Sequence, residues 1–229
     1  MPTIRRLTLA STFLAATAAA VFAQTGAQTG THPLTGRRIA PVMGVQGAEW
    51  LDRAEREMEE DPDRAIDVLK LPKGATVADI GAGSGYMTIK LAKKVGPQGR
   101  VFATDIQAGM LDLLNKRIAK AKLANVTPVL GAVDDPKLPA DTIDLALMVD
   151  VYHELSQPQQ FLQRLRPALK SGGRLVLVEY RKEDPDIPIR PEHKMSVAEA
   201  KTEVEAEGFT LTRTVEDLPR QHVIIFTRP

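Results

Sequence analysis

Between residues 48 and 60 the apolar side chains Trp50, Leu51, Ala54 and Met58 fall on one stripe at helical spacing, with Glu55, Arg56, Glu57 and Glu59 off it. That pattern predicts an amphipathic helix. Asp61 and Pro62 then stop it and start another, with the aspartate as N-cap and the proline at the first helical position. The second helix carries Ala65, Ile66 and Leu69. Trp50 is expected in the core, the wall of a cleft being the other reading.

From residue 77 the chain alternates short β-rich apolar runs with stretches of helical periodicity. Strands are predicted from Val77, over residues 100–105 and 125–130, from Asp141, and in the run ending at Tyr180. Helices are predicted over 86–95, 107–123 and 157–169, and from Ser196, where Ser196 and Glu199 form an S-x-x-E capping box. Residues 209–215 and 222–227 read as a final pair of strands joined by a proline-containing loop. Strand and helix in alternation imply a parallel sheet with helices on both faces. Residues 48–229 are read as one domain, its first helices (48–70) covering a cleft.

The stretch V-A-D-I-G-A-G-S-G-Y at residues 77–86 carries the most chemistry. A strand feeds a turn with glycine at Gly81, Gly83 and Gly85, and a helix follows. Glycine there permits backbone conformations and ligand approaches that a Cβ would block, and a helix N-terminus behind it suits a nucleotide. The register departs from the dinucleotide fingerprint G-x-G-x-x-G, which disfavours a nicotinamide-dependent reductase. Asp79, two residues before the first glycine, suits a cationic ligand. Asp105 closes the next strand 20 residues beyond Gly85, near the spacing of a carboxylate that accepts from ribose hydroxyls.

On these residues the chain resembles the class I S-adenosylmethionine (SAM) dependent methyltransferases, and the likeness extends over residues 77–180. It implies a Rossmann-like, mostly parallel seven-stranded α/β sheet with an antiparallel C-terminal strand, and SAM as cofactor. It also implies a cofactor pocket of Asp79, Gly81, Ala82, Gly83, Gly85, Asp105 and Ile106. Asp134, four residues before a Leu-Pro pair, is expected at the adenine amino group, with Asp135 as the second choice. Asp150 and Val151 are expected at the methionine end. Tyr152, His153 and Glu154 then face the acceptor, with His153 as general base because its intrinsic pKa lies near neutrality, a structural histidine bonded to the backbone being the alternative, and with Glu154 either capping the following loop or orienting His153. Glu179, Tyr180 and Arg181 reach the mouth, while Tyr180, His193 and Lys194 are expected to bind substrate. Residues 183–191, with three prolines, form an irregular loop before them. The resemblance implies methyl transfer to a small molecule at oxygen, carbon or nitrogen. The alternative is an inactive sensor or scaffold that binds SAM without turnover.

Charge and composition narrow the picture. With 30 basic and 29 acidic residues and no basic run, nucleic acid is not an expected partner. The absence of cysteine excludes thiol catalysis, disulfides and thiolate metal sites. His153, His193 and Glu154 lack the i, i+4 histidine spacing of helical metal sites, so no metal is expected.

Residues 1–23 are unlike the rest. Arg5 and Arg6 precede an uncharged, alanine-rich apolar run, and Val21, Phe22 and Ala23 end it with small residues where a signal peptidase reads. A cleaved signal peptide is expected, and with it export to the periplasm or medium and no membrane insertion of the mature chain. Sequencing the mature N-terminus, expected near Gln24, checks this. A cytoplasmic or membrane-anchored protein is the alternative. Residues 24–47, rich in Thr, Gly, Gln and Pro, read as a flexible linker.

Overall fold

The structure, a computed structural model, describes residues 30–229. The expected signal peptide and residues 24–29 of the expected linker lie outside the described residues. Among those described, no helix is long and apolar enough to cross a membrane.

Strict alternation along the central strands builds the core. In β4 (Ile143–Val149), Leu145 and Leu147 point to one face of the sheet, Ala146 and Met148 to the other. In β5 (Leu169–Arg181) Val176 and Val178 oppose Leu175 and Leu177, and in β8 (Gln221–Thr227) Val223 and Ile225 oppose Ile224 and Phe226. Apolar residues on both faces need a cover on both faces. The first cover is α3 (Pro62–Val68) with α4 (Tyr86–Val95), through Ile66, Leu91 and Val95. The second is α6 (Pro158–Leu165) with α7 (Val197–Glu205), through Phe161, Leu162 and Val204. A smaller cluster seats α5 (Ala108–Ala121) on β2 (Arg100–Asp105) through Leu111, Leu114 and Ala103.

With β1 (Thr76–Ile80), β3 (Val126–Leu130) and β7 (Thr210–Val215) the sheet runs β3-β2-β1-β4-β5-β8-β7. Pairings through β5 are parallel, and β8 is antiparallel to both β5 and β7. The expected seven strands are present, and a two-residue strand, β6 (Lys194–Met195), adds to them beside Tyr180 and Arg181. The sheet reverses order between β1 and β4, which opens a crevice at their carboxyl ends, where ligands of such sheets bind.

Three sequence expectations need correction. The single helix over 48–60 is two short ones, α1 (Ala48–Leu51) and α2 (Arg56–Glu60). Arginines interrupt it: Arg53 donates to the Trp50 carbonyl and Arg56 to the Leu51 carbonyl, both at 2.9 Å, so side chains serve carbonyls that a continuous helix would pair internally. The helix over 157–169 stops at Leu165, because Pro167 has no N–H for a further turn.

The third concerns the linker, which is packed from residue 30 onward. Arg37 is 4% exposed and grips the fully buried Glu203 of α7 with two hydrogen bonds, Nε to Oε1 at 3.0 Å and Nη2 to Oε2 at 2.9 Å. Its Nη1 also donates to the His153 carbonyl at 3.2 Å, and the Ala40 N–H donates to the same oxygen at 3.0 Å. A forked guanidinium on a buried carboxylate fixes a segment as composition alone would not suggest.

Candidate functional site

The crevice holds a cavity of about 490 Å³, within the range of roughly 300–1,000 Å³ usual for small-molecule sites. One end is the glycine turn between β1 and α4. Gly81, Gly83 and Gly85 have φ of +67°, +53° and +89°, a region that favours glycine. A Cβ on Gly81 would fall 2.5 Å from the Val151 side chain, and one on Gly85 would fall 2.4 Å from Leu114. The turn is thus sterically locked as well as backbone-specific. Gly81 and Gly83 line the cavity.

Asp105 ends β2 against this turn and is 8% exposed. Its Oδ2 accepts from the Gly83 N–H at 2.9 Å and its Oδ1 from the Gln107 N–H at 2.8 Å. Burial pushes its carboxyl up, only partly offset by the Gln107 and Gly83 amides. Each oxygen keeps a lone pair for a hydroxyl in the cavity. Asp150, at the end of β4, has φ of +55° and lines the cavity with Val151. Gln221 donates to both its oxygens at 2.9 and 2.8 Å, while burial, Glu60 and Glu179 push the carboxyl well up.

The opposite end is built from the segment after β4 and the loop after β5. His153 is 1% exposed, and its Nδ1 lies 2.5 Å from Glu179 Oε2. Glu179 Oε1 accepts from the Tyr152 N–H at 2.9 Å. The His153 Nε2 lies 3.0 Å from His193 Nδ1. Burial opposes protonation of His153, but the Glu179 carboxylate outweighs it and raises the imidazole's pKa; burial and His153 together lower that of His193. Glu154 also faces the cavity, and burial pushes its carboxyl up to about 7 despite His153.

Several expected site residues stand elsewhere. Asp79 and Ala82 line a small recess behind the turn. Asp79 is 2% exposed and accepts from Thr88 Oγ1 at 2.5 Å, and burial raises its carboxyl to about 6. An internal partner thus takes the place of the expected cationic ligand. Asp134 is engaged by Arg164 at 2.8 Å, while Ala132 and Val133 form the cavity wall there. Tyr152 is fully buried among the apolar residues of the second face, so it does not meet an acceptor. Glu179, not Glu154, orients His153. Lys194 is 6% exposed and donates to the Asp184 carbonyl at 2.9 Å, holding the loop rather than a substrate. Ile106, Tyr180 and His193 do line the cavity, the Tyr180 hydroxyl donating to Glu60 at 2.8 Å. Trp50 is 41% exposed on the cavity wall, with the Arg53 guanidinium 3.7 Å from its ring centroid.

Val42 and Met43 complete the wall from the segment read as linker, and Gln107 Nε2 donates to the Met43 carbonyl at 2.9 Å. Nothing in their composition marks them. Glu179 was expected only at the mouth; its role beside His153 follows from register, since Val149 pairs with Val178 and Glu179 therefore lies level with the first residues past β4.

The methyltransferase domain family matches residues 77–173. A SAM dependent methyltransferase from Aquifex aeolicus superposes with a TM-score of 0.78 at 29% identity, covering 82% of this chain and 100% of that one. Over these residues the chain is similar to the class I SAM-dependent methyltransferases in sequence and in fold. A further methyltransferase structure, from Methanosarcina mazei, superposes with a TM-score of 0.57 over 71% of this chain and 96% of that one; at 19% identity it shows the fold alone. The ubiquinone/menaquinone biosynthesis C-methyltransferase UbiE of Hahella chejuensis is 30% identical over 118 residues, 51% of this chain and 47% of that protein. The chain thus spans about half the length of the curated relatives it matches.

The residues present fit SAM, the cofactor that this family and fold imply. Gly81 and Gly83 bring bare backbone to the cavity wall, and the carboxyl groups of Asp105 and Asp150 line the same cavity, where ribose hydroxyls and a cationic group would find acceptors. Asp105→Ala is expected to weaken binding of S-adenosylhomocysteine by about 10- to 150-fold, the value of charge-assisted hydrogen bonds of roughly 1.5–3 kcal/mol. Calorimetry checks it, and an unchanged affinity would remove Asp105 from the ribose site.

Proposed function

We propose that the protein transfers the methyl group of SAM to a small, largely apolar molecule, at an oxygen, carbon or nitrogen that gives up a proton. The observation that carries this reading is the chemical division of one cavity. Its nucleotide end has the glycine turn and Asp105. Its other end sets His153, Glu154 and His193 among Leu155, Phe161 and Ile189. SAM supplies a methyl carbon already activated by its sulfonium. The chain's task is then to align the acceptor, and orientation of that kind contributes on the order of 7–11 kcal/mol.

His153 is suited to take up the acceptor's proton. Glu179 holds the Nδ1 proton in place, leaves Nε2 with its lone pair, and stabilises the imidazolium once formed. The apolar side chains exclude water from the transfer. The loop carrying Pro188, Ile189 and Arg190 walls the acceptor in.

Relatives named as C-methyltransferases of ubiquinone/menaquinone biosynthesis support hydroxylated aromatic rings as the first acceptor class to test. The protein is incubated with methyl-labelled SAM and a panel of phenols and hydroquinones. Label in the organic extract, matched by equal release of S-adenosylhomocysteine, is the expected result. Tight SAM binding with no turnover on the panel or on a metabolite extract would favour the sensor reading instead.

A further inference from the structure

We propose that His153 Nε2, His193 Nδ1 and the Glu154 carboxylate bind a divalent first-row transition cation at the acceptor end of the cavity. This rests on the reading of that cavity as the methyl-transfer cleft. Among the described residues, these are the three that bring one potential ligand atom each within 4.8 Å of one another.

The geometry suits a cation. The two imidazole nitrogens lie 3.0 Å apart, so a cation about 2.0–2.1 Å from each would subtend an angle of about 94°. That value falls between octahedral and tetrahedral geometry. The rings meet edge-on, with centroids 5.0 Å apart and planes at 82°, an arrangement that allows both lone pairs to converge on one point.

A second observation points the same way. Glu179 sits 2.5 Å from His153 Nδ1, so the proton stays on that nitrogen and Nε2 carries the lone pair; a cation would replace its 3.0 Å contact with His193 Nδ1 once His193 holds its own proton on Nε2. A carboxylate behind a ligating histidine fixes its tautomer and raises its basicity. Glu179 is itself fixed by the Tyr152 N–H and is fully buried. Glu154, partly buried beside the imidazoles, has no side-chain donor on it among the described residues.

Two imidazoles and one carboxylate favour zinc, iron, cobalt or nickel over magnesium or calcium. Three protein ligands leave coordination positions open, as in catalytic rather than structural sites. Those positions face the cavity, where an acceptor hydroxyl would bind the cation and lose its proton more readily. The cation and the His–His hydrogen bond exclude one another, so His153 acts as a base only in protein free of metal. The sequence expectation of no metal rested on the missing i, i+4 histidine spacing of a helical site. Here they come from segments 40 residues apart.

The test uses tag-free full chain, treated with chelator and dialysed. It is titrated with cobalt(II) by visible absorption and with zinc(II) by calorimetry. One equivalent per chain is expected, with d–d bands in the cobalt form. His193→Ala should abolish both signals, and Glu179→Gln, which removes no ligand, should weaken affinity by about 10- to 100-fold. His193 ends a three-residue 3-10 turn and is only partly buried, so its variant should fold, and thermal unfolding verifies this. No saturable uptake by the wild type, or uptake unchanged in folded His193→Ala, overturns the proposal. S-adenosylhomocysteine binding is measured in parallel. Nucleotide uptake without cation uptake sinks this inference alone, whereas cation uptake without nucleotide uptake sinks the methyl-transfer reading.

Discussion

Arg37→Ala is expected to lower the unfolding free energy by about 3–5 kcal/mol, because it leaves the Glu203 carboxylate buried without its partner. Both groups are almost completely removed from water, and the Thr35 hydroxyl, which donates to Glu203 at 2.5 Å, carries no charge to replace the guanidinium. For a domain of this size that corresponds to a fall in melting temperature of roughly 6–20 °C. Replacing both residues with apolar ones, as in Arg37→Met with Glu203→Leu, should recover most of the loss, since a well-packed apolar pair often matches a buried ion pair. Scanning calorimetry of the single and double variants decides the matter. A single variant that melts with the wild type would show that the segment's packing does not depend on the clasp. Because Arg37 also donates to the His153 carbonyl, the single variant should loosen the acceptor end of the cavity too.

In chelator-treated, metal-free protein, His153→Ala is expected to reduce turnover by about 10²- to 10⁴-fold, the usual contribution of a positioned proton acceptor. The loss should appear in kcat, with S-adenosylhomocysteine affinity essentially unchanged, because His153 lies across the cavity from the glycine turn and Asp105. Glu179→Gln should move kcat in the same direction by less, since it keeps the side chain's shape while weakening the hold on Nδ1. Steady-state rates with an acceptor from the panel measure both. A variant retaining wild-type kcat would reduce His153 to a structural histidine.

The local features were legible because they are written at short range. The Tyr86–Val95 helix follows from its apolar spacing, and the capping box at Ser196 and Glu199 appears in the structure as expected. Gly81, Gly83, Gly85 and Asp105 came together because a single strand–turn–helix–strand unit carries them all. Errors arose where a residue's partner is remote. Tyr152 and Lys194 stand beside cavity residues in sequence, and adjacency alone placed them in the site. The chain's path turns Tyr152 into the core, and the Asp184 carbonyl claims Lys194. The linker reading failed for a related reason. Thr, Gly and Pro do predict weak local structure, but Arg37 finds a carboxylate 166 residues away.

By itself the sequence determined the alternation of strands and helices, the two-faced sheet and the nucleotide turn, since periodicity and nearby glycines encode each of them. Only the tertiary structure decided what surrounds the acceptor. Glu179 and His153 are 26 residues apart and His153 and His193 are 40 apart. They meet because β4 and β5 lie side by side and the loop after β5 folds back over their ends. No local pattern records such a meeting, because it depends on strand order and register rather than on neighbouring residues.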